Sequence, residues 1–348
     1  MKTILARNVH DALPQGLFHL KRNGYSQNSR GGRVIMVYGP VTTVYERPVE
    51  RVLFHPERDA NPFFHLYEAL WMLAGFRAVE PLAQFVGRMR TYSDDGIVLH
   101  GAYGHRWRHH FKLDQLEEIV RLLTVDPNSR RAVLGMWDPE VDLARNGKDL
   151  PCNTHAYFSR DLEGRLDLTV GCRSNDIIWG AYGANAVHFS MLQEYVAAHL
   201  GWPVGRYWQV SNNYHAYWNV YDALETEWRP AAWAAYTPEE QNLVPPNPYN
   251  RLDTQPIPLV SIPVDAWRSE LQMLLTQGGA LGFRDRFLRG VAMPMLQAHS
   301  AYRAGSGEAR YHAALEALKG CAQCDWRCAG EGWLLRRLER YRRREDAL

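Results

Sequence analysis

The side chains best suited to chemistry lie in KDLPCNTHAYFSRDLEGRLDLTVGCRSNDIIWGAYGANAVHFSMLQEYV, which starts at residue 148. Cys152 follows Pro151 and precedes Asn153, Thr154 and His155, a sequence that reads as a polar turn rather than an apolar strand. Taken alone, Cys152 would pass for a small buried residue. Its company argues for a nucleophile. A cysteine attacks as the thiolate, and nearby cations favour that form. Arg173 and the pair Arg130 and Arg131 are the cations at hand, and arginine matches a phosphate with two parallel hydrogen bonds. Asp176 and Asn185 offer hydrogen bonds to a polar heterocycle. An amide sets a donor beside an acceptor, which suits a ring with adjacent N–H and C=O groups. His215 and Tyr217, alternating on one strand face, suit sugar hydroxyls. A phosphate, a sugar, a base and a thiolate together describe a nucleotide whose ring is attacked covalently.

These groups need elements to position them. Residues 16–55 are rich in Val and Tyr, punctuated by Gly and Pro, which predicts strands. PFFHLYEALWMLAGF opens a helical run over 62–90. Glu68, among its apolar residues, is either a boundary carboxylate or part of a buried polar site. Residues 92–108 read as loop, and 113–131 as an amphipathic helix ending in the turn that carries Arg130 and Arg131. RAVLGMW and GRLDLTVGC read as strands, ANAVHFSMLQEYVAAHLG as a helix stopped by Gly201, and RYWQVSNNYHAYW as a strand running into a polar stretch. The proline-rich 237–265 predicts a long surface connection, partly extended, with edge-strand pieces. Helices follow over 266–348.

Composition sets limits. The 348 residues are 46% hydrophobic and 22% charged, with a net charge of +2, as in a globular protein without a strong overall field. No run approaches the roughly 18 apolar residues of a membrane span, and MKTILARNVHDALPQG does not read as a signal peptide. Five cysteines point to reduced thiols in a cytoplasmic compartment. There is no P-loop, dinucleotide fingerprint or nucleophile elbow. HRWRHH (105–110) reads as a solvated polar turn in preference to a metal site. Cys321, Cys324 and Cys328 are spaced for one helix face. There they either pack as small apolar groups or, less favourably, join His312 around zinc. The expected metal count is none. The basic RRLERYRRRE (336–345) is either a solvated helix end or a site for nucleic acid or another polyanion; the former is preferred, with no nucleic-acid or membrane partner expected.

The chain from about 60 to 220 resembles the thymidylate synthase superfamily, which includes the pyrimidine-nucleotide hydroxymethylases. The resemblance rests on YEALWMLAG, YGHRWR, DPNSRRAVLGMW, LPCN, CRSNDIIWG, GANAVHFS and YHAYWN in that order. It implies an α/β (α+β) fold with a large mixed sheet flanked by helices. The catalytic core would be 1–236, with 237–348 as a Pro-rich connection and a helical extension packed on it. It also implies a homodimer through sheet faces, and 5,10-methylenetetrahydrofolate as one-carbon donor. By resemblance, Cys152 adds to C6 of a pyrimidine deoxynucleoside monophosphate. Arg173, Ser174 and Arg30 hold its phosphate, and Arg130 and Arg131 reach the phosphate of the other subunit. Asp176 sits near base and folate, Asn185 reads the ring edge, and His215 and Tyr217 bind the sugar. Glu68 organises a proton and water network, and Tyr103 serves proton transfer at C5.

Departures from the synthase pattern carry the finer expectation. Asn153 stands where the synthase has histidine after its cysteine, and Cys172 where it has Gln before Arg-Ser. Asp149 replaces an apolar residue near the folate, and Tyr92 takes the place of a folate-loop tryptophan. The chain runs on after Tyr217, without the short apolar tail that closes the synthase. A carboxylate and a polar aromatic beside the reacting carbon admit and orient a water. The expected reaction is therefore hydroxymethylation of dUMP, in an enzyme of bacteriophage type acting in the host cytoplasm. The alternatives are reductive methylation of dUMP, hydroxymethylation of dCMP, and a non-enzymatic nucleotide- or RNA-binding protein on the same scaffold.

Overall fold

The computed structural model describes residues 2–227, 246–278 and 282–346. The strands are β1 (Lys2–Ala6), β2 (Tyr25–Ser29), β3 (Gly32–Met36), β4 (Val41–Tyr45), β5 (Val133–Gly135), β6 (Asn153–Arg160), β7 (Leu166–Cys172), β8 (Asn175–Asp176), β9 (Val204–Ser211) and β10 (Tyr214–Tyr217). Six form a mixed sheet in the order β1-β4-β9-β7-β6-β5, and four form a second sheet in the order β2-β3-β10-β8. The mixed α/β architecture agrees with the expectation; the second sheet was not foreseen. RYWQVSNNYHAYW is two strands. The chain breaks at Asn212 and Asn213 and passes from the large sheet to the small one.

Alternation splits the large sheet into two unlike faces. Ala6, Tyr45, Tyr207, Leu168 and Phe158 stand side by side in register, all buried. Two helices cover this face: α1 (Val9–Asn23) on β1 and β4, and a later helix, Asn185–Leu200, on β7 and β9. The row one residue over is Leu5, Val44, Trp208, Thr169, Tyr157 and Val133. Here Leu5, Tyr157 and Val133 are 56%, 46% and 38% exposed.

Three strands fall in the β-rich stretch 16–55, as expected, but helix α1 takes its first residues, 16–23. Asn8 caps it by accepting from the Asp11 N–H, and Leu13, Leu17 and Leu20 bury its inner face. Pro14 lies inside it and supplies no N–H to the His10 carbonyl; His55 Nε2 takes that carbonyl instead, at 2.8 Å. The run over 62–90 is also shorter than read. Helix α2 (Pro62–Leu73) starts on an Asn61 cap, ends before Gly75 at φ +80°, and is followed by single turns at Glu80–Ala83 and Met89–Tyr92. Helix α3 (Gln115–Val125) precedes the turn with Arg130 and Arg131. Helix α4 (Asn185–Leu200) stops at Gly201 in the left-handed region, as its sequence predicts.

HRWRHH is not a solvated turn. It makes a short helical turn, Tyr103–His105, and a π turn, Arg106–His110, with Arg106, Trp107 and Arg108 buried. Arg106 pairs through two nitrogens with Asp142, at 2.6 and 2.8 Å, and also donates to the Met136 carbonyl.

Helix α5 (Trp218–Glu227) leads out of the small sheet. The proline-rich connection falls partly outside the described residues; from 246 it contains two 3₁₀ turns, Pro248–Asn250 and Leu252–Thr254, rather than edge strands. Helices α6 (Val264–Gln277), α7 (Met293–Ala304), α8 (Ala309–Leu318) and α9 (Asp325–Glu345) complete the chain. Phe63 of α2 meets Trp333 of α9 edge-on at 5.5 Å and His299 of α7 at 5.8 Å. The three late cysteines do not share a helix face. Cys321 lies in the turn after α8, Cys324 begins α9, and only Cys328 lies within it. Cys321 and Cys324 are buried, while His312 is exposed and bonded to Glu308. The basic tail is not simply solvated either: Arg336, Arg337 and Arg340 converge on Asp59 at 3.1, 3.0 and 3.0 Å.

Candidate active site

Cys152 ends a turn and β6 begins at the next residue, so the polar sequence after it is strand, contrary to the reading as turn. The start of the strand is polar because its side chains hydrogen-bond: Asn153 to Asn185 and Thr154 to the Gly171 carbonyl. The Tyr103 hydroxyl accepts from the backbone N–H of Cys152 and of Asn153, each at 3.0 Å. Gly104 lets Tyr103 come this close to α2, because a Cβ there would stand 2.0 Å from the Met72 carbonyl. Burial pushes the Tyr103 hydroxyl far above its ordinary range, so it is a neutral O–H whose proton is not used on those two amides.

Two of the expected arginines meet around this turn. Arg173 donates through Nε to the Pro151 carbonyl at 2.8 Å and through a terminal nitrogen to the Leu150 carbonyl at 3.2 Å. Arg30 donates to the Gly147 carbonyl at 2.8 Å. It sits at the tip of the β2–β3 hairpin, held over the site because Gly31 leaves room for the Tyr217 hydroxyl; a Cβ at 31 would lie 2.4 Å from it. Burial raises the Cys152 thiol above its usual value. Arg173 opposes that, Asp149 adds to it, and Arg30 opposes it again. The cations are therefore in place, but burial prevails over them in the protein alone.

Asp149 accepts from the Gly101 N–H at 2.8 Å, and burial raises its carboxyl. Asp176 caps the π turn Ile177–Ala184, accepting from the N–H of Ile178 and Trp179, and also takes the Tyr217 N–H at 3.3 Å. It is paired in register with His215 across β8 and β10. Burial raises Asp176 and lowers His215, each tempered by the other. His215 keeps an unpartnered Nδ1, and its ring meets Tyr217 edge-on at 5.8 Å. Ser174 is half-buried and lends its carbonyl to the Cys172 thiol. Tyr92 is 41% exposed, with its hydroxyl on Arg88.

Asn185 is held in a line of amides. Its oxygen accepts from Asn153 Nδ2 at 3.2 Å, and its own Nδ2 donates to Asn175 Oδ1 at 3.2 Å; Asn175 in turn donates to Ser211. Amide orientation follows from this network, and each Asn185 atom keeps one further bond for a ligand. Glu68 is buried on α2, with Oε2 2.9 Å from His188 Nε2 of α4. Of its two sequence readings the buried polar one holds.

Arg130 and Arg131 are not brought to Cys152. Both are exposed in the turn before β5, and neither guanidinium bonds to another described residue. Four residues at the site escaped the sequence reading: Asn175, His188, Trp179 and Arg58. Trp179 is 44% exposed between Asp176 and Asn185, with the buried Arg58 guanidinium 4.2 Å over its ring. An apolar ring between two polar site residues was the available signal for Trp179. Asn175, His188 and Arg58 had none.

Comparison with known proteins agrees with this arrangement. A family model described as thymidylate synthase matches residues 50–234. The deoxyuridylate hydroxymethyltransferase of Pseudomonas phage M6 is 52% identical over 337 residues, covering 97% of this chain and 95% of that one. The deoxyuridylate hydroxymethyltransferase of Bacillus phage SP01 is 37% identical over 207 residues, 56% of this chain and 54% of that one. The thymidylate synthase of Streptococcus mutans is 33% identical over 141 residues, 39% of this chain and 50% of that one. With the family model over more than half of its length and a relative matched along nearly all of it, the chain belongs to the thymidylate synthase family.

Proposed function

We propose that the protein hydroxymethylates C5 of dUMP, using 5,10-methylenetetrahydrofolate and water and releasing tetrahydrofolate. The observation that carries this is likeness along nearly the whole chain to the phage M6 enzyme, including the region after 234 that the family model does not reach. The residues fit a flat folate ring: Trp179, whose backbone N–H donates to Asp176, and Tyr92, near Tyr217, each present a partly exposed aromatic ring.

The Cys152 thiolate adds to C6 and makes C5 nucleophilic. Folate supplies the one-carbon unit at the oxidation level of formaldehyde. Arg173, Arg30 and Ser174 hold the phosphate, the arginines through charge-assisted hydrogen bonds. Asn185 offers one N–H to O4 and one lone pair to N3–H of uracil. His215 and Tyr217 hold the sugar. Tyr103 handles the C5 proton, while Glu68 and Asp149 orient water toward the exocyclic methylene. Water addition needs no hydride, so tetrahydrofolate leaves unoxidised.

The exposed side chains in this row of the large sheet support a dimer. A second copy on Leu5, Tyr157 and Val133 would cover them, and Arg130 and Arg131, in the turn leading into edge strand β5, would reach the partner's phosphate. No helix among the described residues is long and apolar enough to cross a membrane, and the proposed place of action is the host cytoplasm.

Mass spectrometry of the product from dUMP and from dCMP tests the reading. It expects 5-hydroxymethyl-dUMP with tetrahydrofolate. Thymidylate with dihydrofolate would establish reductive methylation, the second reading, which the shorter likeness to named thymidylate synthases favours.

A further inference from the structure

Among buried polar atoms left without a partner, several gather behind the nucleophile. His188 is 3% exposed, yet neither ring nitrogen makes a hydrogen bond. Its Nε2 lies 2.9 Å from Glu68 Oε2, close enough to bond but not aimed along the N–H, and that oxygen is also unpartnered. Asn153 Oδ1 is a fourth such atom. Asn185 and His188 are three residues apart on α4 and share a face. The line Asn153–Asn185 therefore leads from the residue after Cys152 to the turn of helix that presents His188 to Glu68. A buried imidazole with two idle nitrogens is costly unless something meets them. The gathered polar atoms are the partners an ordered water needs.

We propose that His188 is the positioning residue of Glu68: one ring nitrogen fixes the carboxylate, and the other anchors a buried water in the same polar pocket. The strand position after Cys152 is filled by Asn153, which holds Asn185, and the imidazole 2.9 Å from the carboxylate comes from helix α4. The titratable groups facing His188 are Glu68 and His65 of α2, and Arg58 from the preceding loop acts on His65. His65 does not compete for the proton. Burial first, then Arg58 and His188, bring it down to about 3, so it stays neutral. The geometry of a carboxylate and imidazole on two packed helices is rigid, as positioning requires.

This inference rests on the proposed folate-dependent reaction at C5, and the test separates the two. The full-length wild-type chain is first assayed for product from dUMP and methylenetetrahydrofolate. His188→Ala, His188→Gln, Glu68→Gln and the double variant Glu68→Gln/His188→Ala are then compared by kcat, KM for dUMP, the kcat–pH profile and thermal unfolding. His188→Ala should lower kcat about 100-fold. Its KM for dUMP should stay within about twofold, the mark of lost transition-state positioning. His188→Gln, which still turns an N–H toward the carboxylate, should recover to within about tenfold of wild type and flatten the acid side of the profile. Glu68→Gln/His188→Ala should be no slower than Glu68→Gln, because the two act as one unit. A wild-type kcat in His188→Ala overturns the proposal. So does a double variant that multiplies the single losses, or a common fall of kcat, affinity and melting temperature. A wild-type chain that makes no product at all overturns the functional reading together with the proposal. If the product is thymidylate, the same variants are judged on that product.

Discussion

Arginines in this molecule work in two settings, on backbone carbonyls and against carboxylates, and they are used in opposite ways. Around Cys152, Arg173 and Arg30 donate to the carbonyls of Pro151, Leu150 and Gly147. Those bonds fix the guanidiniums without neutralising them, and their charge stays available to an anion. At Arg106 and at Asp59 the guanidiniums face carboxylates. There the charge is consumed, and the result is structure: one pair anchors the π turn behind Tyr103, and the other ties α9 to the loop before α2. Counting arginines does not distinguish binding from building. The partner of each guanidinium does.

The largest consequence is on the consumed side. Asp142 and Arg106 have side chains with no exposure at all. Asp142→Asn, nearly isosteric, would leave Arg106 charged and uncompensated in the interior. Urea unfolding should show a loss of about 3–5 kcal/mol. A loss below about 1 kcal/mol, the surface-pair range, would erase the distinction between the two settings. Next comes the free side. Arg173→Ala should leave the unfolding midpoint nearly unchanged and lower kcat/KM for dUMP about 100-fold, as two charge-assisted bonds to a phosphate are lost. Arg173→Lys should restore little, because a lysine lacks the planar fork. The same substitution reports on the thiol. Since Arg173 opposes the rise that burial imposes on Cys152, removing it moves the pH midpoint of iodoacetamide alkylation at Cys152 upward. An unmoved or lowered midpoint would mean that the arginine serves only the turn.

The same division explains what was legible in the sequence. Cys152, Arg173, Asp176 and Asn185 come from one short stretch, so spacing and resemblance found them and the fold brings all four together. Arg30 was also found, although its placement depends on a hairpin tip resting against Tyr217. What was missed depends on contacts with no local signature. Helix α1 hides behind Pro14 and Gly16, both poor helix formers, and holds together because His55 satisfies the carbonyl that Pro14 leaves open. HRWRHH looks solvated because Arg and His are usually exposed, and only Asp142, 36 residues beyond Arg106, reveals the buried pair. His188 sits in an otherwise apolar helical pattern, and the carboxylate it faces lies on another helix. The Asp59 cluster spans 277 residues or more. Pairings that distant do not show in periodicity or local spacing.

The smallest effect is at Asp59, and it is the sharpest test of the consumed side because it disappears with falling pH in a known way. Burial by itself pushes this carboxyl up, but Arg337 and Arg336 more than offset it and hold it below the ordinary aspartate range. A carboxyl depressed in the folded state binds protons more weakly there than when unfolded. Its stabilisation is therefore complete above the unfolded value of about 4 and disappears as pH falls through the lower folded value. Asp59 also has φ +47°, a conformation asparagine tolerates, so Asp59→Asn removes charge without adding backbone strain. At neutral pH the variant should be less stable by about 1 kcal/mol, with the difference shrinking in salt because the cluster is partly open to solvent. Arg340, 57% exposed, is its most screened member. The gap between wild type and variant should close once wild-type Asp59 is itself protonated. If it stayed open in acid, the loop would be held by shape rather than by charge. Asp59 would then no longer belong with Asp142 as a carboxylate that consumes arginine charge.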